Sequence, residues 1–198
     1  GSVAISGTWI VVGAAVDDTG ATDTGSVYVY DLASGTPTVP VFTLNNPQPG
    51  ASDFFGAAVA ISGTRVLVGA SGNSSGGISA GGVHVYDLAS GTPTVPLFMF
   101  TNPAPATADR FGDTVAISGT RVAVGAPTDN AGGVDTGSAY VYDLSSASPT
   151  LPVTTLSNPS PSDGERFGTS VGISEARVVI GATNDFTGVT NTGRAYVY

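Results

Sequence analysis

One unit recurs along this chain at a fixed spacing of 56 residues, with no insertion or deletion between copies. Phe55-Gly56 returns as Phe111-Gly112 and Phe167-Gly168. Gly13-Ala14 returns as Gly69-Ala70, Gly125-Ala126 and Gly181-Ala182. The copies occupy residues 1–56, 57–112, 113–168 and 169–198, the fourth stopping after Tyr198. A period of this length marks a repeat architecture, in which each unit is one supersecondary element that buries its apolar face only against its neighbours.

Each unit reads as four short strands. The first is Val3-Ala4-Ile5, with counterparts at Val59, Val115 and Val171, and Ser-Gly usually ends it. The second is Ile10-Val11-Val12, with counterparts at Val66, Val122 and Val178, running into Gly-Ala. The third is Val27 to Tyr30, repeated at Val83, Ala139 and Ala195. The fourth is Val41 to Leu44, repeated at Leu97 to Phe100 and Val153 to Leu156. Short β-branched and aromatic runs between Gly, Pro, Asn and Asp clusters are strand signals. No apolar pattern holds helical spacing for more than one turn. Strands are expected near residues 2–6, 9–14, 25–31 and 39–45, and again at each later repeat.

Proline sets the strand order. Pro40, Pro96 and Pro152 stand before or within the fourth strand, and Pro37, Pro93 and Pro149 lie three residues earlier. Proline cannot donate to a ladder, so it is confined to sheet edges, where it also blocks edge pairing. The fourth strand is therefore the outer edge. The first strand, with Ala4, Ala60, Ala116 or Gly172 at its centre, suits a crowded axis. A four-stranded meander repeated around an axis is a β-propeller. The fold class expected is all-β: one propeller region over 1–198, made of four antiparallel blades, the last without its outer strand. A stacked solenoid is the alternative, although its units are usually shorter.

Composition narrows the function classes. The 15 acidic residues outnumber the 6 basic ones, all of them Arg, for a net charge of −9. That balance argues against binding nucleic acid or an anionic membrane surface. There is no Cys, which excludes disulfides, thiolate metal sites and cysteine nucleophiles. Apolar runs stay at three to five residues, far short of a membrane span. No basic-then-apolar leader opens the chain, so any export signal is expected to lie outside it.

Phe-Gly, then a short strand, then Val-Gly-Ala-Pro (Val124 to Pro127 in the third copy) resembles the FG-GAP repeat of integrin α-subunit propellers and many bacterial surface proteins. The resemblance covers the whole chain. Only the third copy keeps both motifs intact; Ala15, Ser71 and Thr183 replace the proline elsewhere. The resemblance implies seven-bladed propellers at the cell exterior. It also implies calcium in a loop between first and second strands, but that loop is here only Ser6-Gly7-Thr8, Ser62-Gly63-Thr64, Ser118-Gly119-Thr120 or Ser174-Glu175-Ala176. That calcium site is absent from the sequence.

The longer loop between second and third strands is the candidate site. It offers Asp17, Asp18 and Asp23 in the first copy, Asp129 and Asp135 in the third and Asp185 in the fourth. Clustered carboxylates with loop carbonyls are the hard oxygen donors that Ca2+ takes. The competing and commoner role of Asp, Asn and Gly here is to build turns through Asx contacts with nearby amides. The second copy, with Asn73, Ser74 and Ser79, is the poorest candidate. Asp53, Asp109 and Glu165 precede each Phe by two residues, and Arg65, Arg121 and Arg177 open the second strands. One acid and one Arg per blade suggest a structural ion pair. His84 stands where other copies have Tyr28, Tyr140 and Tyr196; it reads as drift at a half-exposed position and has no evident partner for base catalysis. Trp9 suits either a sugar ring or a cover for the chain end.

These features support a non-enzymatic extracellular or cell-surface module, for binding, adhesion or scaffolding, with a protein or glycan ligand at a propeller face. The competing classes are a propeller enzyme acting on polysaccharide and a self-assembling structural subunit. An arc of four blades leaves apolar flanks around Val3, Ile5, Ile10 and Val12. Completion is expected from further residues of a longer surface protein, or otherwise from a second copy in a homo-oligomer.

Overall fold

The computed structural model describes residues 1–74, 79–184 and 192–198. All regular structure among them is β. Blade 1 consists of β1 (Val3–Ser6), β2 (Trp9–Ala14), β3 (Ser26–Asp31) and β4 (Phe42–Asn45). Blade 2 has β5 (Phe55–Ser62), β6 (Arg65–Ala70), β7 (Gly82–Asp87) and β8 (Phe98–Thr101). Blade 3 has β9 (Thr114–Ser118), β10 (Arg121–Ala126), β11 (Ser138–Asp143) and β12 (Thr154–Ser157). Blade 4 stops at three strands, β13 (Phe167–Ser174), β14 (Arg177–Ala182) and β15 (Arg194–Val197).

Each sheet is an antiparallel meander in sequence order, with the fourth strand at the outer edge where one is present. First strands of consecutive blades lie beside one another at the inner end. There the Ser6 hydroxyl accepts from the Gly63 amide at 3.0 Å, Ser62 from Gly119 at 3.1 Å and Ser118 from Glu175 at 3.2 Å. This explains the recurring Ser at the end of the first strand. The outer strands begin later than expected, at Phe42, Phe98 and Thr154. In the first blade, residues 36–39 close a turn, the Val39 amide bonding the Thr36 carbonyl at 3.0 Å.

The core is divided among the blade junctions. Val11, Val27, Val29 and Leu44 on blade 1 meet Phe55, Val59, Ile61, Val66, Val68 and Tyr86 on blade 2. Equivalent layers join blades 2 and 3, and 3 and 4. Phe55, Phe111 and Phe167 are fully buried, as expected of wedges between blades. Phe111 meets Tyr140 and Tyr142 edge-on, at ring-centroid distances of 5.5 and 6.4 Å.

Glycine is required where backbones touch. A Cβ on Gly81, whose φ is +88°, would sit 2.1 Å from the Phe111 carbonyl oxygen. Gly25 and Gly137 stand in the same relation to Phe55 and Phe167. The Phe111 amide in turn bonds the Ala80 carbonyl at 3.0 Å, so the residue that leads one blade is also tied to the blade before it.

Candidate functional site

Two kinds of segment share one rim: the loops between second and third strands, and the connectors from each fourth strand to the next blade. They are joined by backbone. Ser52, Phe54 and Phe55 donate to the Thr22, Asp23 and Thr24 carbonyls at 2.9, 3.1 and 2.9 Å. The connector turns on left-handed residues, Ser52 (φ 61°) and Phe54 (φ 54°), repeated at Ala108, Arg110, Gly164 and Arg166. Non-glycine residues in this region store about 1–3 kcal/mol each, so the surrounding bonds must hold them.

The connector is pinned from inside. Asp53, Asp109 and Glu165 are buried, and each accepts from an asparagine seven residues earlier: Asn46, Asn102 and Asn158, all at 2.7 Å. Each also accepts a backbone amide, from Gly50, Ala106 or Ser162. The structural ion pair expected between these acids and the recurring arginines does not form. Arg65 and Arg121 instead face Asp87 and Asp143 across the sheet, and Arg110 forms an ion pair with Asp113, at 2.8 Å. The recurring Asn-Pro before each connector was the available signal, since the Asn carbonyl also closes an Asx turn onto the amide two residues on. Burial raises the Asp109 carboxyl above the ordinary range, against the bonds from Ala106 and Asn102.

The loop carboxylates are engaged in building their own turns. Asp17 accepts from the Thr19 amide at 2.9 Å, from the Thr19 hydroxyl and from the Tyr28 hydroxyl at 2.8 Å; these bonds lower its pKa, Thr19 most and Tyr28 next. Asp129 takes the Ala131 amide and the Tyr140 hydroxyl at 2.9 and 2.6 Å. Asp18 accepts the Asp23 amide at 2.9 Å. The Asp135 amide donates to Asn130, and Asp23 and Asp135 are both left-handed at φ 52°. Asp185 lies outside the described residues. No three carboxylate or imidazole groups converge among the described residues. In the first and third loops Asp17, Asp18 and Asp129 thus hold the turns of their own loops.

His84 is not half-exposed. It is buried in the junction of blades 1 and 2, edge-on to Phe55 at 5.2 Å between ring centroids, and neither ring nitrogen has a hydrogen-bond partner. Desolvation drives its pKa down from 6.5 to about 4; the nearby Val68 backbone opposes this by proximity, without a well-formed hydrogen bond to either nitrogen. Trp9 stacks on Phe42 at 6.4 Å and packs against the core of the first junction.

A concave feature stands on the rim. A cleft of about 260 Å³ is lined by Ser52 and Phe54 of the first connector, Ser71, Gly72 and Ser79 of the blade 2 loop, and Ala108 and Arg110 of the second connector. Five of these seven residues are left-handed non-glycines: Ser52, Phe54, Ser79, Ala108 and Arg110. Gly72 brings its backbone so close that a Cβ would lie 1.9 Å from the Ser52 carbonyl oxygen. At the matching places Thr128 and Asn184 reach across with side chains, to the Ala108 and Gly164 carbonyls at 2.6 and 3.0 Å. The second blade thus departs from the third and fourth where the cleft opens. Sequence reasoning does not single out Phe54 or Arg110; the break in pattern at Gly72 was the one visible trace.

Four meanders sharing Phe-led junctions define this chain as a β-propeller repeat protein. The profile of the FG-GAP repeat family matches residues 1–30, 46–86, 101–142 and 153–198. The chain belongs to that family. No curated protein matches it. Among solved structures it is similar to the computationally designed Ika8 protein, at 16% identity and a TM-score of 0.53, over 98% of this chain and 60% of that one. That likeness concerns the fold, and this chain spans only 60% of the length of the designed protein.

Proposed function

We propose that the chain is a non-enzymatic binding or scaffold module of the cell exterior, which takes a protein or glycan ligand at the rim cleft of blade 2. The observation that carries this reading is the asymmetry of that cleft. A repeated scaffold holds five of the seven lining residues in left-handed positions, and Gly72 stands where the third and fourth blades place a bridging side chain. Phe54 supplies an apolar ring face, the serines supply hydroxyls, and the exposed Arg110 guanidinium, which holds Asp113 through one terminal nitrogen, offers its remaining donors to a ligand carboxylate. Rigid scaffolds that present loops are common binding devices.

Absence of catalysis is supported by where the reactive groups sit. His84 is shut into the core, and Asp53, Asp109 and Glu165 are committed to holding connectors. An exterior location is supported by the acidic, lysine-free composition and by the resemblance to integrin-type propellers.

The test is a screen of the purified chain against immobilised neutral and uronic-acid oligosaccharides and acidic peptides, repeated with Phe54→Ala and Arg110→Ala. Binding that falls at least tenfold in both variants, at unchanged melting temperature, supports the cleft. Binding equal to wild type in both variants overturns it, as does hydrolysis of a bound oligosaccharide.

A further inference from the structure

Blade 2 differs from blades 1 and 3 at its rim in charge as well as in shape. The loop between second and third strands carries Asp17, Asp18 and Asp23 in blade 1, and Asp129 and Asp135 in blade 3. In blade 2 the same loop, residues 71–81, has no acidic residue. Asn73 stands for Asp17 and Asp129, and Ser79 for Asp23 and Asp135. Ser79 keeps the left-handed backbone of those aspartates, with φ 54° against 52° for each, so the exchange alters charge and leaves the turn as it was. The connector acids Asp53 and Asp109 are turned inward onto Asn46 and Asn102. In a chain of net charge −9, this cleft is therefore walled by a loop without carboxylates and by the exposed guanidinium of Arg110. Such a spot attracts an anion that the rest of the rim repels.

The cleft also offers an acceptor. The Ala108 and Gly164 carbonyls are taken by the side chains of Thr128 and Asn184, at 2.6 and 3.0 Å. Ser52 is their counterpart in the first connector, and Gly72 has no side chain with which to reach it. Among the described residues no donor meets the Ser52 carbonyl. The amides beside it are engaged: Ser52, Phe54 and Gly72 donate to the Thr22, Asp23 and Asp53 carbonyls at 2.9, 3.1 and 3.1 Å. A ligand thus meets an acceptor and hydroxyls here, with no row of free amides. That disfavours a peptide, which docks by adding a strand along open backbone or by lodging its terminal carboxylate among amides. A sugar ring is the better match, since its hydroxyls both donate and accept and its C–H face packs on an aromatic ring.

We propose, on the footing that this cleft is the binding site, that it holds one uronic-acid unit of an acidic glycan. The carboxylate lies on Arg110, a ring hydroxyl donates to the Ser52 carbonyl, and the C–H face covers Phe54. A cleft of about 260 Å³ has room for a single ring.

Isothermal titration of the 198-residue chain with tetragalacturonate, and with its methyl ester, tests this. Wild type should bind the acid at least tenfold more tightly than the ester. Ser79→Asp restores the residue of blades 1 and 3 at the same backbone angle. It should weaken the acid at least tenfold, leave the ester unchanged and keep the wild-type melting temperature. Arg110→Gln should bring the acid down to the affinity of the ester, and Phe54→Ala should weaken both. Equal wild-type affinities for acid and ester overturn the proposal, as does full affinity for the acid in Ser79→Asp, and as does a chain that binds neither sugar. Binding of a Glu-rich hexapeptide in place of the sugar also overturns it; if that binding falls in Phe54→Ala, the cleft stands and only its ligand changes. Acid binding that survives unaltered in Phe54→Ala overturns the cleft itself and the proposal with it.

Discussion

Replacing His84 by tyrosine restores the residue found at this place in the other three copies, and it should remove a specific acid sensitivity. His84 is the only histidine in the chain and lies buried beside Phe55 with neither nitrogen paired. Its pKa is about 4 in the fold against 6.5 for a free imidazole, because burial penalises the charged form. A depressed folded-state pKa means that the unfolded chain takes up a proton between these values while the native chain does not. Stability is therefore complete above pH 6.5 and declines as pH falls toward 4. At 1.36 kcal/mol per pKa unit, the loss attributable to this one group reaches about 2.5 kcal/mol by pH 4.5. Urea titrations of wild type and His84→Tyr from pH 7.5 to 4.5 isolate the effect, since the carboxylates that titrate lower down are common to both. The wild type should lose about 2.5 kcal/mol more than the variant. The single imidazole resonance also gives the midpoint directly by NMR. A midpoint near 6.5, or parallel pH profiles for the two proteins, would refute the argument.

Three further outcomes follow from the junctions and connectors. Gly81→Ala sets a Cβ 2.1 Å from the Phe111 carbonyl at a left-handed backbone position, whereas nothing lies within 4 Å of a Cβ on Gly91. By thermal melting Gly81→Ala should lose at least about 2 kcal/mol and Gly91→Ala less than about 0.5 kcal/mol. Asn102→Ala removes both the donor to buried Asp109 and the acceptor of the Ala104 amide, and should cost about 1–3 kcal/mol in a denaturant titration at neutral pH. Adding a calcium chelator should leave the melting temperature unchanged, since Asp17 and Asp129 already accept from amides and tyrosine hydroxyls; a fall in melting temperature would return these carboxylates to the ligand role.

What the sequence makes legible is whatever repeats through backbone geometry and apolar patterning. β2, β3 and their counterparts fall within a residue of expectation, because apolar runs bounded by Gly leave little freedom. The outer strands come out shorter, since a turn completes itself before the chain reaches the sheet edge. The recurring acid was visible, but its partner was not. Arg65 and Asp53 recur with the same period, yet period says nothing about which face each occupies, and the sheet register gives Arg65 to Asp87. His84 looked tolerant because tyrosine elsewhere carries a polar tip; its burial follows from the junction with blade 1, which a single copy does not reveal. The cleft was least legible of all, because the meaning of Gly72 depends on how closely two backbones pass.

The Phe-Gly pairs tie each blade to the one before it, and that has a thermodynamic consequence. A blade has little interior of its own, since its apolar residues are shared with its neighbours. The free energy of the arc is then a sum of nearest-neighbour couplings along one dimension, as in other repeat arrays. Within the arc of residues 1–198, blades 2 and 3 are coupled to a blade on both sides and blades 1 and 4 to one. Amide hydrogen exchange should accordingly form a gradient, fastest in β1 and β15 and slowest in β6 and β10. Joining the two ends of the arc would flatten that gradient without altering a single residue inside a blade.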